Sequence, residues 1–264
     1  MFSQIQELAL HHQINFLLLV GSGLVVFLLC LLPAKHANAV TGFAPVTPTA
    51  KTLTLFYIAL TTLIYAASIG VTAKQTGTEP ANGSDQLYMI LLPLLLYAPL
   101  LVSYVLHAGK HFTLNTCHIG AVFAALGGVY ACSYILDASG ILYLLQSLTD
   151  SPIEQQSITL LKTKQVEEVL YIIVGAVIIA PLVEEIFFRG FIFRIICQNS
   201  GMAVAAAASG LFFGAVHVSL LQTCALTCFG IIQGILYHKT QSIVYPIIMH
   251  VLFNGIAVIC IYLY

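Results

Sequence analysis

Charge is what this chain has least of. Only 7% of its 264 residues are Asp, Glu, Lys or Arg, against about 25% in soluble domains, so a soluble globular protein is excluded. No basic run is present and the net charge is −1, which sets aside nucleic acid as a partner. A disulfide framework is lacking too. The seven cysteines lie mostly in apolar stretches, where cysteine behaves as a small hydrophobe. Cys224 and Cys228 share a helix face, but no pair of polar ligands stands near them, so packing rather than metal is expected. There is no internal repeat and no low-complexity tract. No Lys or Arg precedes the first apolar stretch, from Ile14 to about Leu32, and that stretch exceeds the roughly 7–15 residues of a cleaved signal core. Despite the cleavage-like Ala37-Asn38-Ala39, it is expected to be a retained transmembrane helix.

Hydrophobic residues make up 59% of the chain and recur in long runs, the mark of a polytopic membrane protein. The expected fold is all-α, a transmembrane helical bundle of about eight spans near 14–33, 53–73, 87–107, 119–143, 169–190, 202–220, 222–237 and 243–262. The seventh is short and is expected to tilt or to stop below one surface. Between spans, Lys74 to Gln86 carries loop residues. Asp150 to Glu168 carries four acids and two lysines, and an interfacial amphipathic turn is expected there. Lys35, Lys51, Lys110, Arg194 and Lys239 fall on one side of such a bundle, and Lys74, Lys162 and Lys164 on the other. The positive-inside rule then favours both termini outside.

The scarce charges are concentrated at one place, Glu184-Glu185-Ile-Phe-Phe-Arg189, inside one of the most apolar stretches. Three such groups at the centre of a membrane helix would cost about 7–10 kcal/mol if unpaired, so a compensating arrangement is required. Glu185 and Arg189 are four apart, share a helix face and can pair. Glu184 is rotated by about 100° and has Phe188 at that spacing. It must find water, a proton or a partner on another helix.

His217 follows in Phe213-Gly-Ala-Val-His217. The break Asn199-Ser200-Gly201 lies between: Glu184 is 16 residues before Ser200, and His217 is 16 after Gly201. Two antiparallel helices meeting there would put each about 24 Å from the turn, at one depth. In the last span, His250 and Asn254 are again four apart and share a face that must meet protein or a water-filled cavity. A carboxylate, two imidazoles and an amide inside one bundle can activate water and stabilise an oxyanion. Taken singly each has a structural explanation; their joint occurrence points to catalysis. Glu167-Glu168 is read as a solvated helix end, Asp137 as reaching the interface, and His107, His111 and His118 as interfacial histidines without carboxylate support for a metal.

The ordered set Glu184-Glu185-x-x-x-Arg189, Phe213-x-x-x-His217 and His250-x-x-x-Asn254 resembles the CAAX protease and bacteriocin-processing family of intramembrane endopeptidases, which includes type II CAAX prenyl endopeptidases and Abi-like immunity proteins. The resemblance covers about residues 169–260. It divides the chain into an N-terminal transmembrane region, 1–168, of about four spans with no family counterpart, and a catalytic transmembrane core, 169–264. It implies a membrane-embedded endopeptidase in which Glu184 activates the hydrolytic water with His217. His250 and Asn254 would hold the oxyanion, or help bind a divalent ion, and Glu185 with Arg189 would lock the helix. Glu184, His217 and His250 could form a zinc-type triad, yet no His-Glu-x-x-His is present, and a metal-free glutamate-activated water fits equally. The implied partners are a peptide or membrane-anchored protein substrate and the membrane lipids, in the cell (inner) membrane if the chain is bacterial. An inactive immunity or scaffold protein of the same fold and a proton-coupled transporter using Glu184 are the competing classes. Broken helices and internal repeats, which a transporter calls for, are not clear in the sequence.

Overall fold

Helix fills most of each apolar segment predicted above. The computed structural model describes residues 10–35, 42–72, 83–107, 112–149 and 166–263. The cleavage-like Ala37-Asn38-Ala39, His111 and most of the Asp150 to Glu168 connection lie outside them. Among the described residues the helices are α1 (Leu10–Leu31), α2 (Pro48–Thr72), α3 (Gly83–His107), α4 (Ile119–Ala138), a short α5 (Ile141–Thr149), a long α6 (166–200), α7 (Met202–Ala215), α8 (Leu220–Thr240) and α9 (Val244–Leu263). Six helices are long and apolar enough to cross a membrane, while Leu94–Leu106 and Met202–Ala215 are shorter apolar stretches. The protein is a multi-pass integral membrane protein. Leu17, Leu24 and Leu28 of α1 and Leu95 and Leu106 of α3 face outward, an apolar exterior suited to lipid.

The count of eight spans is not confirmed, and the predicted spans are corrected in three places. The predicted span 119–143 stops at Ala138 and turns at Gly140, so Ile141–Thr149 is a separate helix. Span 169–190 continues to Ser200 as a 32-residue apolar helix from Val169. At 1.5 Å per residue that is about 48 Å, well beyond the roughly 30 Å hydrocarbon core, so α6 tilts or projects. Arg194, assigned above to a loop, is therefore inside α6 and buried. The short helix is the sixth rather than the seventh: α7 has 14 residues and α8 has 21. α7 ends early because Val218 adopts a left-handed φ of 53°, which no right-handed helix can continue through.

The break predicted at Asn199-Ser200-Gly201 is present. Gly201 sits at φ 89°, ψ 166°, a conformation open to glycine alone at little cost, and it reverses the chain from α6 into α7. α7 and α8 then pack almost backbone to backbone. A Cβ on Gly230 would lie 2.7 Å from Cα of Gly210, and one on Gly214 would lie 2.6 Å from the carbonyl of Thr223. Small residues allow this approach, the usual basis of close helix pairing in lipid. Around the pair, Phe188, Phe193, Phe212, Phe213 and Phe229 are buried. α1 packs on α7 and on the end of α6, whereas α3 and α9 pack on the middle of α6.

Candidate active site

The middle of α6 is not a regular α-helix. Gly175–Ile179 and Ile186–Phe193 are π-helical, and the short α-helical segment between them, Ala180–Glu185, carries both glutamates. The amide of Ala180 reaches back five residues to the carbonyl of Gly175. Such wide turns rotate every later side chain relative to an α-helical wheel and recur at functional sites.

Glu185 is fully buried and one of its oxygens gathers three donors. Arg189 Nη1 donates to Oε1 at 3.0 Å, His250 Nδ1 at 2.8 Å and Gln233 Nε2 at 3.4 Å. Arg189 also donates to the carbonyl of Gly230 at 3.2 Å and lies over the Phe213 ring, 4.7 Å from its centroid. Charge-assisted donors of this kind offset the desolvation of a buried carboxylate. Gln233, from α8, was not singled out in the sequence. Its amide also bonds the carbonyl of Pro246, tying α8 to α9 behind the carboxylate. A glutamine in a membrane helix was the one available hint.

Glu184 has a different environment. Its side chain is 30% exposed, and His250 Nε2 lies 3.9 Å from its Oε2. His250 thus stands between the two glutamates, with Nδ1 on Glu185 and Nε2 toward Glu184. The Nδ1–H bond to a carboxylate leaves Nε2 as the exchangeable nitrogen, able to accept when the ring is neutral and to donate when it is charged.

His217 sits in the turn after α7 rather than on a helix. Its Nδ1 meets the carbonyl of Phe213 at 2.8 Å. A carbonyl only accepts, so Nδ1 carries a proton, and in the neutral ring Nε2 is the nitrogen with the lone pair. The left-handed Val218 that shapes the turn has its own carbonyl bonded by Asn15 Nδ2 of α1 at 3.0 Å. The Phe213 ring joins the two imidazoles, its centroid 5.0 Å from that of His217 and 5.9 Å from that of His250. The imidazole in ion-pair range of Glu184 is that of His250.

Asn254 follows His250 by one turn of α9, and its amide donates to the carbonyl of Ala176 at 2.8 Å. Ala176 belongs to the first π segment, so Asn254 fixes α9 against it. Among the described residues no three His, Cys, Asp or Glu side chains gather as a metal-binding group. Glu184, His217 and His250 do not form such a group in this arrangement. These residues as placed do not fit a three-ligand ion. Of the interfacial histidines, His118 rests edge-on against Tyr245. Asp137 is exposed in the last turn of α4, and all seven cysteines are free thiols.

Residues 166–256 match a family described as "Type II CAAX prenyl endopeptidase Rce1-like". That range contains all seven residues named in the three motifs. Over 94 residues the chain is 32% identical to "Putative membrane peptidase YdiL" of Bacillus subtilis (strain 168), a stretch covering 36% of this chain and 38% of that relative. No solved structure matches.

Proposed function

We propose that the protein is an intramembrane endopeptidase, a reading supported by the match of residues 166–256 to the Rce1-like type II CAAX prenyl endopeptidase family. It hydrolyses a peptide bond in a membrane-associated protein or peptide, of CAAX or leader type. The reading rests on one observation above all: of two adjacent glutamates, one is neutralised by buried donors while the other is 30% exposed beside an imidazole.

In this reading a water bound at Glu184 gives its proton to the carboxylate, with the His217 Nε2 lone pair assisting, and its oxygen attacks the scissile carbonyl. The oxyanion that develops accepts from the His250 ring, which its Nδ1 contact with Glu185 holds in place. The second amide proton of Asn254 completes that stabilisation. The tetrahedral intermediate collapses by breaking the C–N bond, and the proton taken by Glu184 passes to the leaving amine. Glu185 and Arg189 hold the helix so that Glu184 and His250 face each other.

Cleavage of peptides by the purified full chain tests this. Glu184→Gln and His217→Ala should each reduce turnover by about 10²–10⁴-fold. Unchanged turnover in Glu184→Gln would remove the mechanism.

A further inference from the structure

The family match begins at residue 166, yet two helices before it reach Glu184. Tyr57, Thr61 and Tyr65 follow one another at four-residue spacing on α2, which makes a hydroxyl stripe on an otherwise apolar helix. On α3, Tyr97 stacks on Tyr57, centroids 5.2 Å apart, and packs on Phe187 of α6 at 5.3 Å. Phe187 is three residues after Glu184, and α3 packs directly on the Ala180–Glu185 segment. Tyr65 and Tyr97 both lie within electrostatic range of the Glu184 carboxylate.

The hydroxyls are not equivalent. That of Tyr57 is committed to the carbonyl of Leu96 at 2.7 Å. That of Tyr97 is hydrogen-bonded to the hydroxyl of Thr61. With Thr61 donating, the Tyr97 proton remains available to another acceptor. Tyr65 is 39% exposed and Tyr97 is half-buried, so both rings keep accessible surface in the neighbourhood of Glu184.

We infer that α2 and α3 form the substrate-facing wall of the Glu184 site, with the Tyr65 and Tyr97 hydroxyls donating to peptide carbonyls beside the scissile bond and Thr61 positioning Tyr97. The inference rests on the reading of Glu184 as the hydrolytic carboxylate. Neutral phenols suit this position. They hydrogen-bond a substrate carbonyl without the ion pair to Glu184 that a lysine or arginine would form, which would hold the carboxylate away from water.

The test uses the full chain and a quenched-fluorescent peptide that it cleaves, chosen from a set with farnesylated and unmodified C-termini. Tyr65→Phe and Tyr97→Phe should each lower kcat/KM about tenfold, chiefly through KM, as loss of one hydrogen bond to substrate predicts. Thr61→Val should reproduce the Tyr97→Phe change and Thr61→Ser should restore it. Tyr57→Phe should leave both constants within about twofold. If both Tyr65→Phe and Tyr97→Phe stay within twofold of wild type while Glu184→Gln is inactive, the wall is refuted and the peptidase reading stands. If the wild-type protein cleaves no peptide in the set, the peptidase reading fails and the wall falls with it.

Discussion

α6 carries two buried polar clusters, about two turns apart, and they are built differently. In the middle, Glu185 and Arg189 are bonded mainly by side chains of other helices, Gln233 and His250, and the cluster ends in the half-open Glu184. At the C-terminal end, the side chains of Arg194, Gln198 and Asn199 bond backbone groups among the described residues. Arg194 Nη2 and Gln198 Nε2 both donate to the carbonyl of Ala44, and Gln198 Oε1 accepts from the amide of Val46. Backbone partners in helix ends and turns are groups that must be satisfied in any case, so the second cluster fastens the chain between α1 and α2 to the bundle. Side-chain partners that could have been apolar are a choice, and here they leave one carboxylate free. The first cluster holds a reactive group in place; the second holds a loop.

The sharpest way to break that contrast is within the first cluster. Glu184→Gln should cost about 10²–10⁴ in turnover with a thermal midpoint close to wild type, since it removes no tight partner. Arg189→Ala should do the reverse first, destabilising the protein by about 3–5 kcal/mol, because it removes the buried cation paired with the fully buried Glu185. Unfolding in detergent monitored by helical signal reads the second, and peptide cleavage reads the first. Equal destabilisation by both variants would show that the two glutamates are not differently employed. In the second cluster, Arg194→Ala removes a charged donor and its contact with the Phe43 ring. It should cost about 1.5–3 kcal/mol while turnover per folded molecule stays within a few-fold.

How much of this was legible in the sequence depended on distance along the chain. The Glu185 and Arg189 pair needs only four-residue spacing, and the reversal at Gly201 needs only a local break signal. Both are visible in six or fewer residues. The partners of Glu185 are 48 and 65 residues away in Gln233 and His250, and no pattern in one sequence reports such a pairing. The expected Glu184 and His217 match at equal depth assumed regular α-helices on both sides of the break. The π segment Ile186–Phe193 lies between Glu184 and the break, and on the other side the helix ends at Ala215, two residues before His217. A valine in the left-handed region carries no sequence signal, since the β-branched side chain is disfavoured there. It is held by Asn15, 203 residues upstream.

The smallest effect expected is that of Asn199→Ala, and it tests the contrast from the structural side. The last carbonyls of α1 have no partner within their own helix. Asn199 Nδ2 donates to two of them, Leu29 at 2.9 Å and Cys30 at 3.3 Å, while Lys51 Nζ caps the next two, Leu31 and Leu32. Removing the amide leaves the Leu29 and Cys30 carbonyls unsatisfied, at about 1 kcal/mol. Asn199→Asp should be worse, because it deletes the donor and sets a negative charge at a helix C-terminus, where the dipole is already negative. Thermal midpoints of the two variants should therefore fall in the order wild type, Ala, Asp, with kcat/KM unchanged in all three. A fall in kcat/KM without a fall in midpoint would mean that the end of α6 reports to Glu184, about four turns away, and that the two clusters act as one.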